Sequence, residues 1–145
     1  MKVLIQRVKK ASVEIEGEIF SSINGGILAL VGIEKGDTSE QVQKSAKKIV
    51  NLRIFPDEND KMNRSILDIQ GEMLIVSQFT LCVDCKKGTR RSFDKSAPPD
   101  IANNLYEDFI KEVASYNIKT QTGKFGAMMN IELINDGPVT FMIET

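Results

Sequence analysis

Apolar positions along this chain fall into short blocks punctuated by glycine, proline and amide side chains, and the spacing inside each block differs. Val3-Leu4-Ile5 and Ser12-Val13-Glu14-Ile15 carry strand patterning, with Glu16-Gly17 a turn before Ile19-Phe20. Asn24-Gly25-Gly26 is a strong turn signal. The run Ile27 to Ile33 behind it is apolar on both faces, which predicts a central strand buried on both sides. At Thr38 the period changes to that of a helix. Thr38 is a good N-cap, Gln41 completes a capping box, and Val42, Ala46, Ile49 and Val50 make an inward stripe opposite Gln43, Lys44, Lys47 and Lys48. That helix should end near Asn51.

Arg53-Ile54-Phe55 resumes as a short strand before a polar loop from Pro56 to Arg64. Ser65 to Ile69 is predicted as a strand, turning at Gln70-Gly71 into a long β-prone segment from Glu72 to Leu81. Cys82 to Ala97 is a long loop. Pro98-Pro99 opens a second helix, whose buried face is Ile101, Leu105, Phe109 and Val113, with Asn117 as its end. Three strands finish the chain: Ile118 to Thr122, Met129 to Leu133, and Val139 to Ile143, the last two separated by Asp136-Gly137-Pro138. The expected fold is α/β, a sheet-rich domain in ββ-βα-β-ββ-α-βββ order, with a curved, barrel-like or layered sheet and two covering helices.

Composition narrows the chemistry. The 145 residues, 41% apolar and 27% charged, suit one domain spanning 1–145 that can bury a core without disulfides or metals. Nineteen basic and 20 acidic residues leave a net charge of −1, so no global basic field draws nucleic acid, and any RNA binding must come from local patches. The chain has no histidine, which excludes an imidazole base, a Ser-His-Asp triad and a zinc site with histidine ligands. Cys82 and Cys85 form a lone C-x-x-C. Ordinary reduced thiols, a four-thiolate zinc shared by two subunits, and a redox pair are the readings it admits, the first being favoured in a cytosolic chain. No G-x-x-x-x-G-K-[ST], G-x-G-x-x-G or calcium-loop spacing occurs, so neither a cofactor nor a metal is expected. The start, MKVLIQRVKK, is too broken by Gln6 and Arg7 for a signal peptide, and no window approaches the ~20 apolar residues of a membrane span. A cytoplasmic protein without a membrane partner is expected.

Three segments could carry chemistry. In Ser77-Gln78-Phe79-Thr80-Leu81, polar groups enter a strand that is otherwise apolar. Backbone N–H groups there, with the Ser77 and Thr80 hydroxyls, could hold an ester carbonyl and its developing oxyanion; the plainer alternative is a strand end satisfying neighbouring backbone. In Asn135-Asp136-Gly137-Pro138-Val139-Thr140, a cis Gly-Pro bond would turn two carbonyls the same way as a fork for an ammonium group, whereas a trans bond leaves an ordinary turn. Between Cys82 and Ala97, the cations Lys86, Lys87, Arg90, Arg91 and Lys95 outnumber Asp84 and Asp94. That loop reads equally as a phosphate-contacting arm or as a solvated surface. Lys2, Arg7, Lys9 and Lys10 make a second basic cluster.

Taken together, Ser77–Leu81 and Asn135–Thr140 resemble the D-aminoacyl-tRNA deacylases. Gln6-Arg7-Val8, the run Lys48 to Phe55, Lys61-Met62-Asn63, Ala97-Pro98-Pro99 and Phe125-Gly126-Ala127 extend the resemblance over nearly the whole chain. It implies a homodimer with active sites at the interface. Ser77, Gln78, Phe79 and Thr80 of one subunit would form the pocket floor, and Gly137 and Pro138 of the other, joined in cis, would hold the amino group, with Arg7 bracing their loop. The implied reaction is hydrolysis of the ester joining a D-amino acid, or glycine, to the 3′ end of tRNA, with L-aminoacyl-tRNA rejected and no DNA bound. Lys86, Lys87, Arg90 and Arg91 become candidate tRNA contacts. The resemblance leaves open whether Thr80 is a nucleophile or only positions substrate beside the terminal 2′-hydroxyl. Cys82 and Cys85 depart from the polar or aromatic residues expected after that strand. The competing readings are a non-catalytic tRNA- or RNA-binding module with a vestigial pocket, and a thiol enzyme using Cys82 or Cys85.

Overall fold

The apolar run behind Gly26 lies at the middle of a sheet. The computed structural model describes residues 1–83 and 92–145, in which the chain runs β1 (Lys2–Ile15), β2 (Glu18–Ile23), β3 (Gly26–Gly32), α1 (Ser39–Val50), β4 (Phe55–Pro56), β5 (Met62–Arg64), β6 (Glu72–Ser77), α2 (Pro99–Ala114), β7 (Lys119–Thr122) and β8 (Asn130–Glu144). Main-sheet neighbours follow the order β2-β1-β3-β6-β7, with β8 also on β1, while β4 and β5 form a separate small ribbon. The pairs β3–β6 and β6–β7 are parallel. Parallel neighbours need a crossover connection, and α1 and α2 lie in those two crossovers. β1 is long enough to serve three partners: β3 along Lys2 to Val8, β2 along Ala11 to Ile15, and β8 over nearly its whole length. Ser21 of β2 donates its hydroxyl to the Thr122 carbonyl of β7 at 2.7 Å, so the far edges meet and the sheet nearly closes into a barrel.

The two-sided burial of β3 and β6 follows from this curl. Ile27, Ala29, Val31, Met73 and Ile75 face the helices and pack with Ile49, Phe109 and Val113. Leu28, Leu74 and Val76 face the barrel interior, against Val8, Val13, Met129 and Ile131. Helix α1 behaves as its pattern predicts: Thr38 and Gln41 form the capping box, Val42, Ala46, Ile49 and Val50 are buried, and Asn51 is the C-cap.

Several expectations change. The predicted strand Ser65 to Ile69 is a helical turn, because the Asp68 carboxylate accepts from the Ser65 N–H at 2.7 Å and its hydroxyl at 2.8 Å, while the Ile69 N–H reaches the Ser65 carbonyl. This side-chain capping outcompetes a ladder. The blocks at 3–5 and 12–15 belong to the single strand β1, and the last two predicted strands are both parts of β8, so two strands rather than three follow the second helix. Helix α2 buries Leu105, Tyr106, Phe109 and Val113, but Ile101, in its first turn, is 46% exposed. The helix ends at Ala114 rather than at Asn117, which instead takes a left-handed φ of 59° just beyond. Finally, β6 stops at Ser77 instead of running to Leu81.

Candidate active site

The early end of β6 creates the site. The Gln78 N–H makes a last bond to the Val31 carbonyl at 2.7 Å, and Phe79–Cys82 then coil into one turn of 3-10 helix. Cys82 anchors that turn: it is fully buried and its thiol donates to the Ile33 carbonyl at 3.4 Å. Gly32 makes the room. A Cβ there would stand 2.9 Å from the Cys82 sulfur and 3.0 Å from the Leu81 Cβ, so the turn could not seat against β3 beside any larger residue. Phe79 and Thr80 open the turn, and their amide N–H groups have no backbone acceptor among the described residues. Unfilled N–H groups at the start of a helical turn are donors waiting for an external oxygen. The Gln78 carboxamide donates to the Thr80 hydroxyl.

Ser77, Gln78 and Phe79 form one wall of a cavity of about 600 Å³. The opposite wall is Phe125 to Met129 with Ile131, and the rim is Ser96, Ala97, Pro99 and Ala102 from the start of α2. The lining is mostly apolar, as expected of a small-molecule site with few polar anchors. Phe79 is 57% exposed and leans on Phe93, ring centroids 5.5 Å apart. The Phe79 carbonyl accepts the Ser96 hydroxyl at 3.4 Å, and the Ala97 N–H bonds Ile33, which pins the returning chain. Thr80 lies just outside the cavity lining. Sequence reasoning missed the Phe125–Met129 wall as a site element. Phe125, Gly126 and Ala127 stood out only as part of a family likeness, since no local pattern joins them to Ser77.

The second motif is built differently. Gln6 pairs with Thr140 and Val8 with Asn135, so the four residues from Asp136 to Val139 bulge out of β8 opposite the single residue Arg7. Gly137 takes φ +128° inside the bulge, and the Gly137–Pro138 bond is cis. Arg7 is buried beneath. Its Nε donates to the Asp136 carbonyl at 3.0 Å and stands 3.3 Å from the Asp136 carboxylate, while Nη1 donates to the Ile54 carbonyl at 2.5 Å. A Cβ on Gly137 would come within 2.8 Å of Val139 and 3.1 Å of the Arg7 guanidinium. Arg7, Gly137 and Pro138 are therefore brought together. Within one chain they do not join Ser77, Gln78 and Phe79, since neither Gly137 nor Pro138 lines the cavity.

Other candidates sort by placement. Lys86, Lys87, Arg90, Arg91 and Cys85 lie outside the described residues. The amino-terminal basic cluster loses two members, because Arg7 is buried and Lys2 pairs with Glu34 at 3.5 Å; Lys9 and Lys10 stay exposed. Burial pushes the Cys82 thiol up to about 11, which makes Cys82 a poor nucleophile for a thiol enzyme. Among the described residues no group of His, Cys, Asp or Glu is placed to hold a metal ion, and no helix is long and apolar enough to cross a membrane.

The family model for D-Tyr-tRNA(Tyr) deacylase matches residues 4–144. A D-aminoacyl-tRNA deacylase of Thermosipho africanus is 55% identical across all of this chain and 97% of its own length. One from Desulfatibacillum aliphaticivorans is 53% identical over all of this chain and 99% of its own length. Among solved structures, a c-Myc DNA unwinding element binding protein superposes with a TM-score of 0.94 at 40% identity, covering 100% of this chain and 99% of its own. A probable eukaryotic D-amino acid tRNA deacylase superposes at 0.82 and 17% identity, covering 98% and 97%, a likeness of fold.

Proposed function

The chain belongs to the D-Tyr-tRNA(Tyr) deacylase family, and from that premise we propose that it hydrolyses the ester of D-aminoacyl-tRNA in the cavity beside Ser77, Gln78, Phe79 and Thr80, with Gly137 and Pro138 supplied by a second copy. The observation that carries the chemistry is the pair of amide N–H groups on Phe79 and Thr80, beside the cavity, which have no backbone acceptor among the described residues. An ester carbonyl placed there gains two donors that strengthen as charge moves onto its oxygen, and one such donor is typically worth about 10²–10³ in rate. Water adds to the carbonyl carbon, the tetrahedral oxyanion rests on those amides, and collapse expels the ribose oxygen, which takes up a proton. The products are free tRNA and the D-amino acid. No imidazole exists to activate a hydroxyl, so Thr80 positions rather than attacks, and the terminal 2′-hydroxyl assists the water.

Selectivity comes from the bulge on β8. With the ammonium group held by the Gly137 and Pro138 region of the partner subunit and the ester on the Phe79–Thr80 amides, a D side chain projects outward and an L side chain meets the wall. Glycine presents only hydrogen and is accepted. The separation of the two motifs within one chain supports the homodimeric arrangement, because a single copy leaves the amino-group site empty. Exposed Phe141, Met142 and Ile134 on β8 supply apolar area for such a contact. The enzyme acts in the cytoplasm on charged tRNA.

The test is release of amino acid from matched D-tyrosyl-, L-tyrosyl- and glycyl-tRNA by the purified protein, with its mass in solution measured alongside. Rapid D and glycyl cleavage by a dimer is expected. Equal rates on D and L esters, or an active monomer, would overturn the reading.

A further inference from the structure

Tyr106 sits on the buried face of α2, only 3% exposed, and no step described above uses it. Its hydroxyl donates to the Ile75 carbonyl at 2.7 Å, and the same oxygen accepts the Gly123 N–H at 2.9 Å. A carbonyl offers two lone pairs, so this oxygen is fully used. Its position matters. The ladder between β6 and β7 ends at the pair Ile75 and Thr122. Beyond it β6 continues to Ser77 and the first wall of the cavity, while the chain after Gly123 swings away to build the second wall, Phe125 to Met129. The Tyr106 hydroxyl is therefore bonded at the fork from which both walls diverge. Its ring also lies against Phe125, centroids 5.9 Å apart, inside the second wall. Gly123 shows how tight the fork is: a Cβ there would stand 2.8 Å from the Met129 sulfur and 3.3 Å from Val76.

We propose that Tyr106 is a positioning residue that sets the width of the cleft between Ser77–Phe79 and Phe125–Met129, and through it the placement of the ester against the Phe79 and Thr80 amides. This rests on the reading of the cleft as the site of deacylation. Packing alone does not call for a hydroxyl here. A phenylalanine ring would fill the same space against Phe125 without the desolvation cost of a buried O–H. Burial also pushes this hydroxyl above its ordinary range, so it remains a donor to Ile75 throughout the working pH range.

The experiment compares the full-length protein with Tyr106→Phe, which keeps the ring and deletes the hydroxyl. We expect kcat on D-tyrosyl-tRNA to fall about ten- to a hundredfold, the scale of an ångström-sized misplacement, with KM within twofold. A 4-aminophenylalanine at position 106, which restores a donor to Ile75, should recover most of the rate. That recovery separates positioning from a loss of folded protein. Gly123→Ala supplies an independent wedge at the same fork and should lower kcat in the same way, which keeps the proposal testable if Tyr106→Phe folds poorly. A wild-type rate in Tyr106→Phe, or a loss that 4-aminophenylalanine does not recover, would overturn the proposal while leaving deacylation intact. Absence of D-aminoacyl-tRNA hydrolysis by the wild-type protein would instead remove the functional reading itself.

Discussion

Arg7 stands opposite the four-residue bulge of β8, and its Nε donates to the carbonyl oxygen of Asp136, 129 residues away in sequence, at 3.0 Å. The same guanidinium reaches Ile54, so one side chain ties the bulge to the segment behind α1. A lysine has no fork to serve both carbonyls. Arg7→Ala should cost about 2 kcal/mol of stability in a urea titration, the range for lost hydrogen bonds to a charged donor. Both Arg7→Ala and Arg7→Lys should lower kcat/KM for D-aminoacyl-tRNA at least tenfold. A lysine variant with full activity would show that the bulge needs no bracing.

Gly137 should tolerate no side chain. At φ +128° an alanine is strained, and its Cβ would press on Val139 and on the Arg7 guanidinium. Such backbone strain costs on the order of 1–3 kcal/mol. Gly137→Ala should remain folded in a thermal melt but lose most deacylation, because the strain is confined to the bulge and the Arg7 side chain that braces it. Equal losses of stability and activity would tie the effect to folding.

Thr80→Ala should leave deacylation within about tenfold of wild type. The hydroxyl contacts only the Gln78 carboxamide among the described residues, and an amide cannot serve as a base. Loss of a covalent nucleophile would instead remove several orders of magnitude. Single-turnover rates decide between them, and a trapped acyl-Thr80 species would reverse the assignment.

Cys82 should resist alkylation. The buried thiol, pushed up to about 11 by desolvation and by Glu34 nearby, is protonated at pH 8. Peptide mass spectrometry after iodoacetamide treatment at that pH should find Cys82 unmodified in the native protein and modified once urea is added. Native labelling at Cys82 would mean that the turn after Gln78 opens readily.

Neutralising Lys86, Lys87, Arg90 and Arg91 together should weaken tRNA binding and flatten its dependence on salt, because fewer counterions are released. The preference for D over L esters should be unchanged. If the salt slope stays the same, Lys9 and Lys10 are the next pair to neutralise, since both are exposed on β1 close to the bulge.

What the sequence determined by itself was local. Thr38 and Gln41 cap α1 through neighbours three residues apart, the two-sided apolar run marks β3 as central, and both unusual motifs stand out because their residues break the strand pattern around them. Ser65 to Ile69 departs from its strand pattern for a local reason too: the Ser65–Asp68 cap outweighs the hydrophobic patterning and makes it a turn. Tertiary structure decided the rest. β6 ends at Ser77 because Cys82 docks beneath Ile33, a contact 49 residues long in sequence that a β-prone stretch gives no hint of. The break at Asp136-Gly137-Pro138 stays inside one strand because the β1–β8 register resumes on both sides of Arg7. Where the two walls of the cleft part, the Ile75 carbonyl gathers Gly123 and Tyr106 from distant parts of the chain. Each is a long-range hydrogen bond or packing contact that forms only when the sheet curls, so it leaves no periodic trace among its sequence neighbours.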